Sequence, residues 1–71
     1  MEQYKALTMI KHLRKIKEMT QSDLAKASGV TTLTIQKLEN GWVDPYESKY
    51  STLLKIANTL GLKHVESLFK E

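Results

Sequence analysis

The sequence predicts an all-α domain of five short helices packed around one core. Three observations carry this. Apolar residues recur at helical spacing along most of the chain, and no stretch alternates as a strand would. Threonines stand just ahead of two helical stretches, where a side-chain oxygen can accept from free N–H groups. The chain has three glycines, Gly29, Gly41 and Gly61, and each falls where a helical pattern stops.

The elements follow in order. Residues 1–5 are read as frayed. A first helix runs from about Gln3 or Lys5 to Glu18, with Ala6, Leu7, Ile10 and Leu13 on its inner face and Met9 and Ile16 at the edge. Arg14 lies four residues after Ile10 and is therefore turned inward. A second helix opens on Thr20 as N-cap, with Asp23 in the acid position of a capping box and Met19 and Leu24 as a staple. It stops at Gly29, which can take the left-handed conformation of a sharp helix exit. The third helix, about 32–40, opens on Thr31 and closes at Gly41. Val30, Ile35 and Leu38 face inward, as does Glu39, four residues after Ile35. Residues 42–49 form a loop, because Pro45 disfavours helix at Asp44. A fourth helix runs from about Ser48 or Ser51 to Leu60, burying Leu53, Ile56 or Leu54, Ala57 and Leu60. A last short helix, about His64 to Phe69, offers Val65, Leu68 and Phe69.

Two charges turned into so small a core are costly unless they meet. Arg14 and Glu39 are therefore paired, which locks the first helix to the third. The alternative is that Arg14 contacts phosphate. The second and third helices, about 20–41, have the form of two helices joined by a tight turn. The face of the third helix opposite Ile35 and Leu38 carries Leu33, Gln36, Lys37 and Asn40, with Thr32 at its edge. A helix held from behind with its outer face free is the geometry of a helix-turn-helix that reads DNA.

Composition bounds the alternatives. A chain of 71 residues is read as one domain, 1–71. The net charge of +3 mildly favours an anionic partner. There is no cysteine, which excludes disulfides and thiolate metal sites and fits a reducing cytoplasm. His12 and His64 have no ligand spacing and are read as solvent-facing, so no metal is expected. No serine or threonine has a His and an acid at a recognisable spacing, and no glycine-rich phosphate loop occurs. An enzyme, a cofactor, a small-molecule ligand and a membrane span are therefore not expected. Trp42 is read as a lid over the core beside the third helix.

These residues resemble the phage-repressor and Cro class of helix-turn-helix domains, the XRE-like family. The resemblance rests on Leu13-Arg14, Thr20-Gln21, Leu24-Ala25, Gly29-Val30, Ile35 and Leu38-Glu39-Asn40-Gly41. It continues through Pro45, Ile56-Ala57 and Leu60-Gly61. It implies a compact repressor-like fold with the third helix in the major groove. Thr32, Leu33, Gln36 and Lys37 would then face base edges, and Gln21, Asn40 and the loop after Gly41 would face phosphates; Thr31, by its hydroxyl, is also read as phosphate-facing. Arg14 and Glu39 match the family's internal ion pair. For Gln21 and Asn40 the alternative is hydrogen bonding at helix ends. The loop after Pro45 is about three residues longer than the common pattern and carries Tyr46 and Tyr50.

The resemblance implies a sequence-specific transcriptional regulator, read as a cytoplasmic repressor bound to double-stranded DNA, with a homodimer on a two-fold operator. The reading helix has no Arg for guanine, while Gln36 can pair with adenine and Lys37 can reach guanine or phosphate. The alternative is a small phage-type modulator of a lysogeny switch, an anti-repressor or an antitoxin-like module that binds a second regulator protein. Leu33 and the aromatic stretch from Trp42 to Tyr50 motivate that alternative.

Overall fold

The computed structural model describes residues 3–70. Among the described residues four α-helices form the domain: α1 (Thr8–Ile16), α2 (Gln21–Ser28), α3 (Thr32–Asn40) and α4 (Tyr50–Thr59). Two 3-10 segments, Pro45–Glu47 and Val65–Phe69, complete it. No strand occurs among the described residues. The expected fifth helix is thus corrected to a 3-10 segment. Its bonds are i to i+3, as in Ser67 N–H to the His64 carbonyl, and His64 supplies no side-chain cap. Five residues are too few to repay the nucleation of an α-helix.

The first helix is shorter than its apolar spacing suggests, because tertiary hydrogen bonds compete for its backbone. Tyr4 N–H donates to the Gly41 carbonyl at 2.9 Å, and Leu7 N–H donates to the Leu38 carbonyl at 2.9 Å. Residues 3–7 therefore run as a non-helical segment along the end of α3, and Leu7 is fully buried without being helical. The reading of residues 1–5 as frayed is corrected at Tyr4; residues 1 and 2 lie outside the described residues. At its other end α1 stops at Ile16, and Glu18 takes a left-handed φ of 57°. That turn aims Met19 N–H back at the Arg14 carbonyl.

The middle of the chain shows why α2 and α3 start and stop where they do. Thr20 accepts from Asp23 N–H while Asp23 accepts from Thr20 N–H, each at 2.9 Å, a complete capping box. Thr31 accepts from Thr34 N–H at 3.2 Å. Gly29 and Gly41 close the two helices at φ of 75° and 71°. The core beneath is built from Leu7, Ile10, Leu24, Ile35, Leu38, Ile56 and Leu68, all at most 1% exposed. α2 packs on both α3 and α4, and α1 packs on α3 and on Val65–Phe69. α4 also packs on Val65–Phe69. Trp42 is 56% exposed, so it does not act as a lid over this core.

The capping box carries a pH signature. The Thr20 N–H and hydroxyl, with Lys26 nearby, hold the Asp23 carboxyl below the usual 3.8. A carboxylate depressed in the folded state stabilises it above the unfolded pKa, and that contribution is lost as pH falls through the folded value. Comparing melting temperatures of the parent and Asp23→Ala should show a gap at neutral pH that closes in acid. A gap independent of pH would mean that the box is not formed by an ionised Asp23.

Candidate nucleic-acid interface

The candidate interface is the outer face of α3, and its orientation is set by what holds the inner face. Ile35 and Leu38 anchor that side in the core. Glu39 is buried beside them, and its side chain is only 2% exposed. Arg14 Nε donates to Glu39 Oε2 at 2.8 Å, and Arg14 Nη2 donates to Oε1 at 3.2 Å. The third donor, Arg14 Nη1, reaches the Met19 carbonyl at 2.8 Å. Gln21 Nε2 donates to Glu39 Oε1 at 3.1 Å. One buried carboxylate thus joins α1, α2 and α3, and no buried side-chain polar atom among the described residues lacks a partner. Such a fully satisfied network fixes geometry more than it adds stability.

With the inner face fixed, the outer face is presented to solvent. Leu33 is 52% exposed, Asn40 is exposed, and Thr32, Gln36 and Lys37 are half-buried on the flanks. These five side chains share one surface. Thr31 lies exposed at the start of α3, where its hydroxyl caps the helix and also lies 2.8 Å from the Thr34 hydroxyl. Gln21 is not free in the same way, since one amide hydrogen already serves Glu39. Its second N–H and its carbonyl oxygen remain for another partner. Asn40 ends α3 beside Gly41, whose N–H turns back to the Lys37 carbonyl.

The structure adds neighbours that the spacing of residues did not reveal. A groove of about 400 Å³ runs beside α3 between Lys37 and the start of α4, lined by Thr34, Asp44, Glu47, Ser48, Lys49 and Thr52. Asp44 caps the following 3-10 turn by accepting from Tyr46 N–H at 3.0 Å. The Asp-Pro pair at 44–45 was the available signal, because it marks a turn start. What it could not show is that the turn folds back toward Lys37 and sets two acids and a second lysine beside the reading face.

Among the described residues no group of His, Cys, Asp and Glu could hold a metal ion, and no helix is long and apolar enough to cross a membrane. The arrangement offers hydrogen-bond donors, hydroxyls, one lysine and one exposed apolar side chain on a rigid helix face. That surface suits recognition.

A helix-turn-helix whose second helix is fixed from behind and free in front defines a class of DNA-binding regulators. Comparison with known proteins agrees. Residues 10–67 match the family model described as helix-turn-helix. A transcriptional regulator of helix-turn-helix type from Methanothermobacter thermautotrophicus, itself uncharacterised, is 41% identical over 64 residues, covering 87% of this chain and 86% of that protein. The master regulator for biofilm formation SinR, in its crystal structure with DNA, superposes with a TM-score of 0.77 at 25% identity over 90% of this chain and 97% of its own. The restriction-modification controller protein C.AhdI from Aeromonas hydrophila superposes with a TM-score of 0.74 at 25% identity, over 89% of each chain. The N-terminal DNA-binding domain of SinR from Bacillus subtilis, in solution, gives 0.74 at 25% identity over 93% and 91%. The chain belongs to the helix-turn-helix family, in its phage-repressor and Cro class, the XRE-like regulators.

Proposed function

We propose that this chain is a DNA-binding transcriptional regulator that represses by seating α3 in the major groove of a two-fold operator. The observation that carries the reading is the division of α3: Ile35, Leu38 and Glu39 hold one face, and the other is left for a ligand. On this reading Thr32, Leu33, Gln36 and Lys37 face base edges, and Thr31, Asn40 and the second amide hydrogen of Gln21 face phosphates. Arg14 and Glu39 act from behind, as positioning residues. One nine-residue helix spans few base pairs, so specificity calls for two copies on half-sites about 34 Å apart. A bound dimer would block polymerase in the cytoplasm, which favours repression over activation.

The first test is a gel shift with DNA from beside the gene. Lys37→Ala then locates the lysine. If it meets phosphate, affinity falls uniformly across sequences and the salt slope drops by about one unit. If it reads a base, the loss concentrates at one position, at about 1–3 kcal/mol. Unchanged affinity and unchanged specificity remove Lys37 from the interface.

A second reading, a phage-type modulator that binds another regulator, is supported by the 52% exposure of Leu33 on the same face. Leu33→Lys separates the two. It should change stability by no more than about 0.5 kcal/mol, as a surface substitution does. A DNA reader with this variant loses site preference yet keeps non-specific affinity, because the added charge attracts phosphate. A protein binder loses its partner, because an unpaired ammonium is costly in an apolar contact.

A further inference from the structure

We infer that the outer face of α1 is a docking surface for an acidic, amphipathic segment of a partner protein. The inference does not depend on how α3 meets DNA, and it concerns a different face from that of Leu33. One side of α1 packs on α3 and on Val65–Phe69, so its other side points away from both. That side presents Lys11, His12, Lys15 and Ile16, all exposed. The surface continues around the end of the helix through Lys17. The Lys17 ammonium stands 4.0 Å from where a Cβ on Gly61 would lie, and the exposed Lys63 follows two residues later. Among the described residues none of these four lysines is in an ion pair.

Three features select the occupant. The first is where the charge lies. The chain has eleven Lys and Arg and eight Asp and Glu. Four of those lysines and one acid, Glu18, stand on or beside this surface, which leaves seven of each sign for the rest of the chain. The net charge of +3 is thus concentrated on α1 and its C-terminal end. Around the reading face, by contrast, Lys37 and Lys49 are offset by Asp44 and Glu47. The surface therefore attracts an anion, and does so on its own account. The second feature is Ile16, 65% exposed and one turn after His12. A phosphate backbone is gripped by cations and hydrogen-bond donors and has no use for an apolar side chain among them. A protein segment that carries carboxylates beside an apolar residue meets both parts. The third is extent. Nine residues of helix are about 14 Å long. A face of that length buries less than the ~1,200 Å² of a standard stable interface, so the contact is transient.

The probe is a short helical peptide of Glu and Leu, with carboxylates four residues apart to meet Lys11 and Lys15. The same peptide with Gln for Glu, and polyglutamate, serve as controls. Binding to the whole chain is followed by ¹⁵N–¹H spectra up to about 1 mM, where a weak contact shows. The expected result is saturable shifts confined to residues 8–17 and 61–64, absent with the Gln peptide and reduced by added salt. Lys11→Glu/Lys15→Glu should weaken binding about tenfold or more. Should that variant lose its dispersed spectrum, Lys11→Gln/Lys15→Gln, which only neutralises the pair, should still weaken binding several-fold. Ile16→Ser should weaken the Glu–Leu peptide and leave polyglutamate unaffected. In the charge-reversed or neutralised variant, the salt slope for a short DNA duplex should stay unchanged. A slope lower by about two units would assign both lysines to phosphate and overturn the proposal. It is equally overturned by no binding at ~1 mM, by shifts on another face, or by a Gln peptide that binds as well as the acidic one.

Discussion

Arg14→Ala is expected to destabilise the domain by roughly 3–5 kcal/mol. The substitution removes three donors at once and leaves the Glu39 carboxylate, 2% exposed, with only the Gln21 amide beside it. The Met19 carbonyl loses its partner as well. A domain of this length is stable by about 4–10 kcal/mol, at ~0.05–0.15 kcal/mol per residue. The variant should therefore melt far below the parent and keep only about half of its stability. Removing both partners in Arg14→Ala/Glu39→Ala should cost less than the two single losses combined, because no charge is then stranded. Urea titrations of the parent, both single variants and the double variant measure this. A loss below about 1 kcal/mol for Arg14→Ala would mean that the pair behaves as a surface contact.

Gly41→Ala should be nearly as damaging, and for a different reason than Gly29→Ala. Both glycines have a left-handed φ, 71° and 75°, so either alanine incurs about 1–2 kcal/mol of backbone strain. At Gly29 nothing lies within 4 Å of the added methyl, and the strain is the whole effect. At Gly41 the methyl would stand 2.5 Å from the Tyr4 carbonyl oxygen and 3.4 Å from Ala6 N. Those are backbone atoms that cannot step aside without breaking the Tyr4–Gly41 and Leu7–Leu38 hydrogen bonds. Since about 1 kcal/mol moves the melting point of a domain this small by some 4–8 °C, Gly41→Ala should melt well below Gly29→Ala. Equal melting points would show that residues 3–7 do not hold the end of α3.

The parts legible in the sequence are those decided within a few residues. Thr20 and Asp23 form a capping box because the residues that make it are three apart, and Thr31 with Gly41 frames α3 in the same local way. The inward placement of Arg14 and Glu39 follows from their i+4 distance to Ile10 and Ile35. The parts that escaped were decided across the chain. Ala6 and Leu7 continue the helical spacing of Ile10 and Leu13, yet Leu7 reaches the core from a non-helical segment because its N–H is taken by Leu38. Nothing within residues 3–10 encodes that bond. Val65–Phe69 buries Val65 and Leu68 at a spacing that serves a 3-10 turn and an α-turn equally. Trp42 is exposed where the sequence suggested a lid, since an apolar ring next to a helix-ending glycine can lie on either side of the chain. The candidate reading face on α3 could be written down from the sequence. The acids and second lysine beside it could not, since they reach it through the longer loop.

The packing of α1 also sets an order of events for a chain being made. α1 has nine residues, below the ~12–15 at which an isolated helix begins to persist in water. Its partners are α3 and the segment Val65–Phe69. At a ribosome adding about 5–20 residues per second, the stretch from Ile10 to Val65 takes roughly 3–11 s to appear. Until then Leu7 and Ile10 have only part of their burial site, and the helix that anchors Arg14 has α3 but not Val65–Phe69 to pack on. The nascent polypeptide therefore completes the packing of its first helix only after Val65–Phe69 has been synthesised. A product that stops short of residue 65 should not mature into a smaller working domain, and it should present its open core to cellular proteases.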